Sequence, residues 1–63
     1  MADITQITTH ENVMFSANSV QADLWMREHY HGHQICFELP DDAANAQAFR
    51  QAANTEGLTI GTM

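Results

Sequence analysis

Sixty-three residues leave room for one domain, and 8 acidic side chains against 2 arginines and no lysine give a formal charge of -6. That balance excludes a surface built to hold nucleic acid or an anionic membrane, and it favours a basic partner. The lone cysteine, Cys36, excludes an internal disulfide and suits a reducing compartment.

The first residues, Met1 to Gln6, lack the basic and apolar segments of a signal peptide, and no apolar run is long enough to span a membrane. The expected location is therefore the cytoplasm. A hydrophobic fraction of 44% suits a folded chain. Much of it is alanine, so the core is expected to be thin. A chain this short gains from a metal, a partner or a second copy.

Ile4 to Thr9 is rich in threonine and isoleucine and reads as extended. His10-Glu11-Asn12 interrupts it, and Val13-Met14-Phe15 follows as a short buried strand. The two pieces can pair as a hairpin, or the first can be a frayed arm. Asn18 predicts a helix N-cap, with Gln21 completing a capping box. The helix is expected from Ser19 to about Tyr30, ending at Gly32, with Ala17, Val20 and Leu24 on its core face. Leu24-Trp25-Met26 also suits a strand that turns at His31-Gly32, and both readings stand.

From His33 to Leu39 the pattern has period two, with Ile35, Phe37 and Leu39 on one face and Gln34, Cys36 and Glu38 on the other. Pro40 ends this strand, read here as central. Asp41 predicts the cap of a second helix, with Asp42 in its first turn, where the helix dipole welcomes negative charge. Ala46, Phe49 and Ala53 form its apolar stripe. Gly57 closes it in a Schellman motif, with Leu58 against Ala53. Leu58 and Ile60 begin a last strand.

The expected fold, over residues 1–63, is a small α/β domain. It has a single-layer sheet of three to four strands, with two helices packed on one face. The order is βαβαβ, with room for an extra strand in front.

Two constellations draw chemistry into view. His29, His31 and His33, with His10 and Cys36 nearby in sequence, carry zinc-type donors. They would converge on a strand, but a helix end and a turn scatter them, so no metal or other cofactor is expected. Cys36 has no fixed base beside it, and no enzyme activity is expected. The carboxylates are the stronger signal. Glu38, Asp41 and Asp42 crowd where a strand passes into the second helix, and Asp23 and Glu28 lie on the first. In the plain reading they cap a helix and keep the chain soluble. In the sharper reading they imitate phosphates and dock on a basic surface. Trp25 is expected in the core, whereas Tyr30 suits core or interface equally.

Short length, no lysine, excess carboxylates, one cysteine and no catalytic motif together resemble the small acidic proteins of phages and mobile elements, above all the anti-CRISPR proteins. The resemblance is one of general character over the whole chain and transfers no residue by motif. It implies stoichiometric inhibition of a host CRISPR–Cas ribonucleoprotein by covering its nucleic-acid-binding surface. Asp23, Glu28, Glu38, Asp41 and Asp42 are the expected contact residues, without direct nucleic-acid or membrane binding. The alternative is a homodimeric interaction module, paired through the exposed sheet face or the edge strand from Leu58 to Thr62, and behind it stands a histidine-rich metal-binding protein using His29, His31 and His33.

Overall fold

The computed structural model describes all 63 residues. β1 (Ile4–Thr8) and β2 (Asn12–Ala17) are antiparallel neighbours, with Ile4 opposite Ala17 and Thr8 opposite Val13. The N-terminal segment is thus a sheet strand. Thr9 builds the hairpin turn: its hydroxyl accepts from the N–H groups of Glu11 and Asn12, at 3.2 and 3.1 Å. A threonine hydroxyl bonding the backbone two and three residues on is a turn-forming device, and it points His10 and Glu11 to solvent.

α1 (Val20–Tyr30) follows, then β3 (Gln34–Glu38), α2 (Ala43–Thr55) and β4 (Ile60–Thr62). The spatial order is β3-β2-β1-β4, with β3 antiparallel to β2 and β4 parallel to β1. The observed sequence of elements is therefore ββαβαβ, and β3 lies at an edge of the sheet rather than at its centre. α1 joins two neighbouring antiparallel strands, so it is not a crossover between parallel ones. α2 alone bridges parallel strands, carrying the chain from one edge of the sheet to the other.

Cross-strand partners share a face of the pleat. Register therefore puts Ile4, Val13, Phe15, Ala17, Ile35, Phe37 and Ile60 together. Ile4, Val13 and Phe15 are buried, and they join Ala22 and Met26 of α1, Ala46, Phe49 and Ala53 of α2, and Leu58 in one core. All nine buried residues are apolar. Phe49 is the hub. Its ring centroid lies 4.4 Å from Phe15, 5.0 Å from Tyr30, 5.6 Å from Trp25 and 6.1 Å from Phe37. Offset and edge-on aromatic pairs at such distances each contribute about 0.5–1.5 kcal/mol beyond their area. Five rings thus supply what the alanines cannot. Trp25 and Tyr30 are half-buried members of this group.

α1 is rotated from the expected face. Val20 and Leu24 are 77% and 62% exposed, whereas Ala22 and Met26 are fully buried. Two stripes compete on this helix. Ala22, Trp25, Met26 and Tyr30 carry more apolar area than Ala17, Val20 and Leu24, and area decides which stripe goes inward. The caps also shift by one. Ser19, not Asn18, is the N-cap, and its hydroxyl accepts from Ala22 N–H at 3.1 Å. Asn18 instead donates its side-chain amide to the Thr5 hydroxyl and the Ala2 carbonyl, tying the helix entry to β1. The left-handed C-cap is His31, with φ 65°, rather than Gly32.

α2 begins at N-cap Asp42 rather than Asp41. The Asp42 carboxylate makes no capping bond but accepts from the Asn45 amide at 3.3 Å. Its other end matches the expected Schellman motif. Leu58 N–H donates to Ala53 C=O at 2.9 Å, Gly57 N–H donates to Asn54 C=O at 3.0 Å, and Gly57 has φ 79°. Leu58 and Ala53 are both buried.

No helix is long and apolar enough to cross a membrane. The Cα radius of gyration is 10.7 Å, close to the roughly 11 Å expected of one folded body of this length.

Candidate protein-interaction surface

The hairpin and β3 together create one acidic end. Glu11 sits in the β1–β2 turn, and its carbonyl accepts from Leu39 N–H at 2.7 Å. Glu38 closes β3 opposite Asn12. Asp42 N–H donates to the Glu38 carbonyl at 2.8 Å, so Asp41 and Asp42 follow on the same side. Four of the eight carboxylates therefore share the strand ends at which β2 begins and β3 finishes. Glu11, Glu38 and Asp41 are exposed and Asp42 is half-buried. Neither arginine forms an ion pair with any of them. The N-terminus of α2 faces this group, and its dipole offsets part of the mutual repulsion, worth about 0.3–1 kcal/mol per charge at an exposed site.

Glu38, Asp41 and Asp42, expected together from the sequence, follow one another from β3 into α2, and Glu11, which the sequence did not single out, lies beside them. Glu11 is distant in sequence and joins them only because β2 and β3 are neighbours. Asp23 and Glu28 do not join this group. They ride on α1, whose two ends are fastened to the opposite side of the sheet. Asn18 N–H donates to Asp3 C=O at 2.7 Å, and Ala17 N–H donates to His33 C=O at 2.8 Å. Asp23 is also partnered: both its oxygens accept from Arg27 Nε, at 3.0 and 3.1 Å. The expected five-residue contact surface is thus split between two ends of the molecule.

Asp3 is committed to structure. Its carboxylate accepts from the Thr59 backbone N–H at 3.1 Å and the Thr59 hydroxyl at 3.2 Å, while Asp3 N–H donates to that hydroxyl at 3.0 Å. The Thr59 N–H first, and the Ser19 hydroxyl next, hold the Asp3 carboxyl below its ordinary value of 3.8. One side chain thereby joins the entries of β1, α1 and β4. Arg50 is likewise occupied within the fold. Its Nε donates to Gln6 at 2.9 Å, its Nη1 donates to Gln47 at 3.0 Å, and its guanidinium lies 5.6 Å from the Phe15 ring centroid.

His29, His31 and His33 are exposed around the turn from α1 into β3, while His10 lies in the hairpin at the other end of β2. No three of the histidine, cysteine, aspartate and glutamate side chains gather closely enough to hold a metal ion. Cys36 is exposed on β3. No pocket indents the surface. Comparison with known protein families, curated proteins and solved structures finds no match.

Proposed function

We propose that this chain is a non-enzymatic binding protein whose acidic end docks on a basic, nucleic-acid-binding surface of a partner. Within the class it resembles, the partner is a host CRISPR–Cas complex and the effect is inhibition without turnover. The observation that supports this reading most is the grouping of Glu11, Glu38, Asp41 and Asp42 at one end, with no ion-paired cation among them. Nucleic-acid-binding surfaces derive much of their affinity from Lys and Arg contacts to phosphates, and a group of exposed carboxylates offers those cations the same charge. Close charge–charge contact steers association and selects the partner more than it adds affinity.

The contact residues proposed are Glu11, Glu38, Asp41 and Asp42. Asp23 and Glu28, on the α1 side, belong to this surface only if the partner wraps round the molecule. A direct assay is release of target DNA from a crRNA-loaded CRISPR–Cas effector on addition of the chain. The expected result is stoichiometric displacement that weakens as salt rises, because exposed charges are screened over about 10 Å at 0.1 M. DNA binding untouched by a large molar excess of the chain would overturn the proposal.

A further inference from the structure

β3 has one neighbour, β2, and its outer edge is open. Ala17 N–H donates to His33 C=O, and Leu39 N–H donates to Glu11 C=O. The odd-numbered residues of this strand therefore bond inward to β2. Strict alternation of an antiparallel ladder turns the N–H and C=O groups of Gln34, Cys36 and Glu38 outward. Of these, the Glu38 carbonyl alone is engaged outside the ladder, by Asp42 N–H. Open edges are templates for pairing, and proteins commonly blunt them with lysine, proline or a bulge. Residues 34–38 contain no lysine or proline, and their one-to-one register with β2 contains no bulge.

We infer that two copies of this chain join edge to edge along β3, antiparallel, about a two-fold axis at Cys36. This arrangement doubles the four-stranded sheet and goes beyond the docking proposal, on which it does not rest; it engages Glu38 and Asp41, so docking through those two carboxylates requires the copies to part. Self-complementarity supports it. With Cys36 opposite its own mate, all five residues of β3 are paired, and any slip leaves residues over. Gln34 then faces Glu38 of the other copy, an amide donor against a carboxylate, on the face where both are exposed. Ile35 faces Phe37 on the core side, where each is only half-buried because the sheet stops there. With the Glu38 carbonyls already accepting from Asp42 N–H, the two chains would share about four backbone hydrogen bonds. The pairing also sets the acidic strand end, with Glu38 and Asp41, beside the His31-Gly32-His33 turn of the second copy, so carboxylates meet imidazole N–H donors. Glu11, one strand further in, stays clear of the seam.

Sedimentation of the full chain should report twice 7.1 kDa. Directly opposed residues of a hydrogen-bonded pair have Cα atoms about 5.5 Å apart, within disulfide range. Copper phenanthroline, taking two electrons from the thiol pair, should therefore trap a covalent dimer quickly and with the fold intact. Cys36→Pro removes an outward N–H and no bond to β2, so it should give a folded monomer by circular dichroism and sedimentation. If Cys36→Pro fails to fold, Cys36→Lys serves, since it sets two ammonium groups face to face. Wild-type chain that sediments as a monomer at every concentration overturns the inference. So does a dimer that survives whichever of these variants folds. A dimer abolished by Thr62→Pro, on the β4 edge, but not by Cys36→Pro also overturns it.

Discussion

The two ends of the sheet carry equal numbers of carboxylates and use them differently. At the end where β1, α1 and β4 begin, Asp3 holds three elements together through Thr59 and Ser19, and Asp23 is closed onto Arg27. Glu28 lies on α1 with Arg27 and His29, and Glu56 is the C-cap of α2, ahead of β4. At the other end, Glu11, Glu38 and Asp41 make no side-chain hydrogen bond within the chain, and Asp42 has only Asn45. Net charge is a property of the composition. A charged surface is a property of what the fold leaves unemployed.

The largest expected effect removes the structure that holds the two ends apart. Phe49→Ala deletes the ring that meets Phe15, Trp25, Tyr30 and Phe37. It should cost about 3–5 kcal/mol in a urea titration. That is most of the stability of a domain this small, so both ends should melt together. Loss of under about 1 kcal/mol would show that the core does not depend on this ring.

Next come two backbone tests on the structured end. Gly57→Ala places a Cβ at φ 79° in the Schellman turn and should cost about 1 kcal/mol. His31→Gly relieves the left-handed C-cap at φ 65° and should gain about 1 kcal/mol by the same measurement. The sequence placed the end of α2 correctly because Gly57 and Leu58 carry both the turn geometry and the apolar contact. It misplaced the end of α1 because two candidates, His31 and Gly32, are adjacent and the tertiary path decides between them. The starts of both helices slipped for the same reason, from Asn18 to Ser19 and from Asp41 to Asp42. The inward face of α1 was harder to read, since two apolar stripes share one helix and the aromatic one wins only when Phe49 is there to meet it. Strand order was not legible at all. Nothing local in residues 33–39 says whether that strand is central or at an edge, and the recruitment of Glu11 to the acidic end follows from strand order alone.

A smaller effect comes from Arg27→Ala. The i,i+4 pair with Asp23 is exposed and should contribute about 0.3–0.5 kcal/mol, fading with added salt. Asp3 supplies a pH signature instead. Its carboxyl titrates below the ordinary 3.8 in the folded chain. The stability it adds is therefore fully present above that value and is lost as pH falls through the lower, folded one. Asp3→Asn should flatten this part of the acid limb in a series of denaturation midpoints against pH. An unchanged acid limb would show that the Thr59 and Ser19 bonds do not favour the charged form.

The central claim is that the free carboxylates of one end, and not negative charge in general, do the docking. Matched charge reversals separate the two: Glu38→Lys with Asp41→Lys at the acidic end, and Glu28→Lys with Glu56→Lys at the other. All four sites are exposed, so both pairs should fold. Each pair shifts the net charge equally. In the DNA-release assay the first pair should abolish displacement and the second should leave it nearly unchanged. Equal loss from both pairs, or displacement undiminished by the first, would contradict the account.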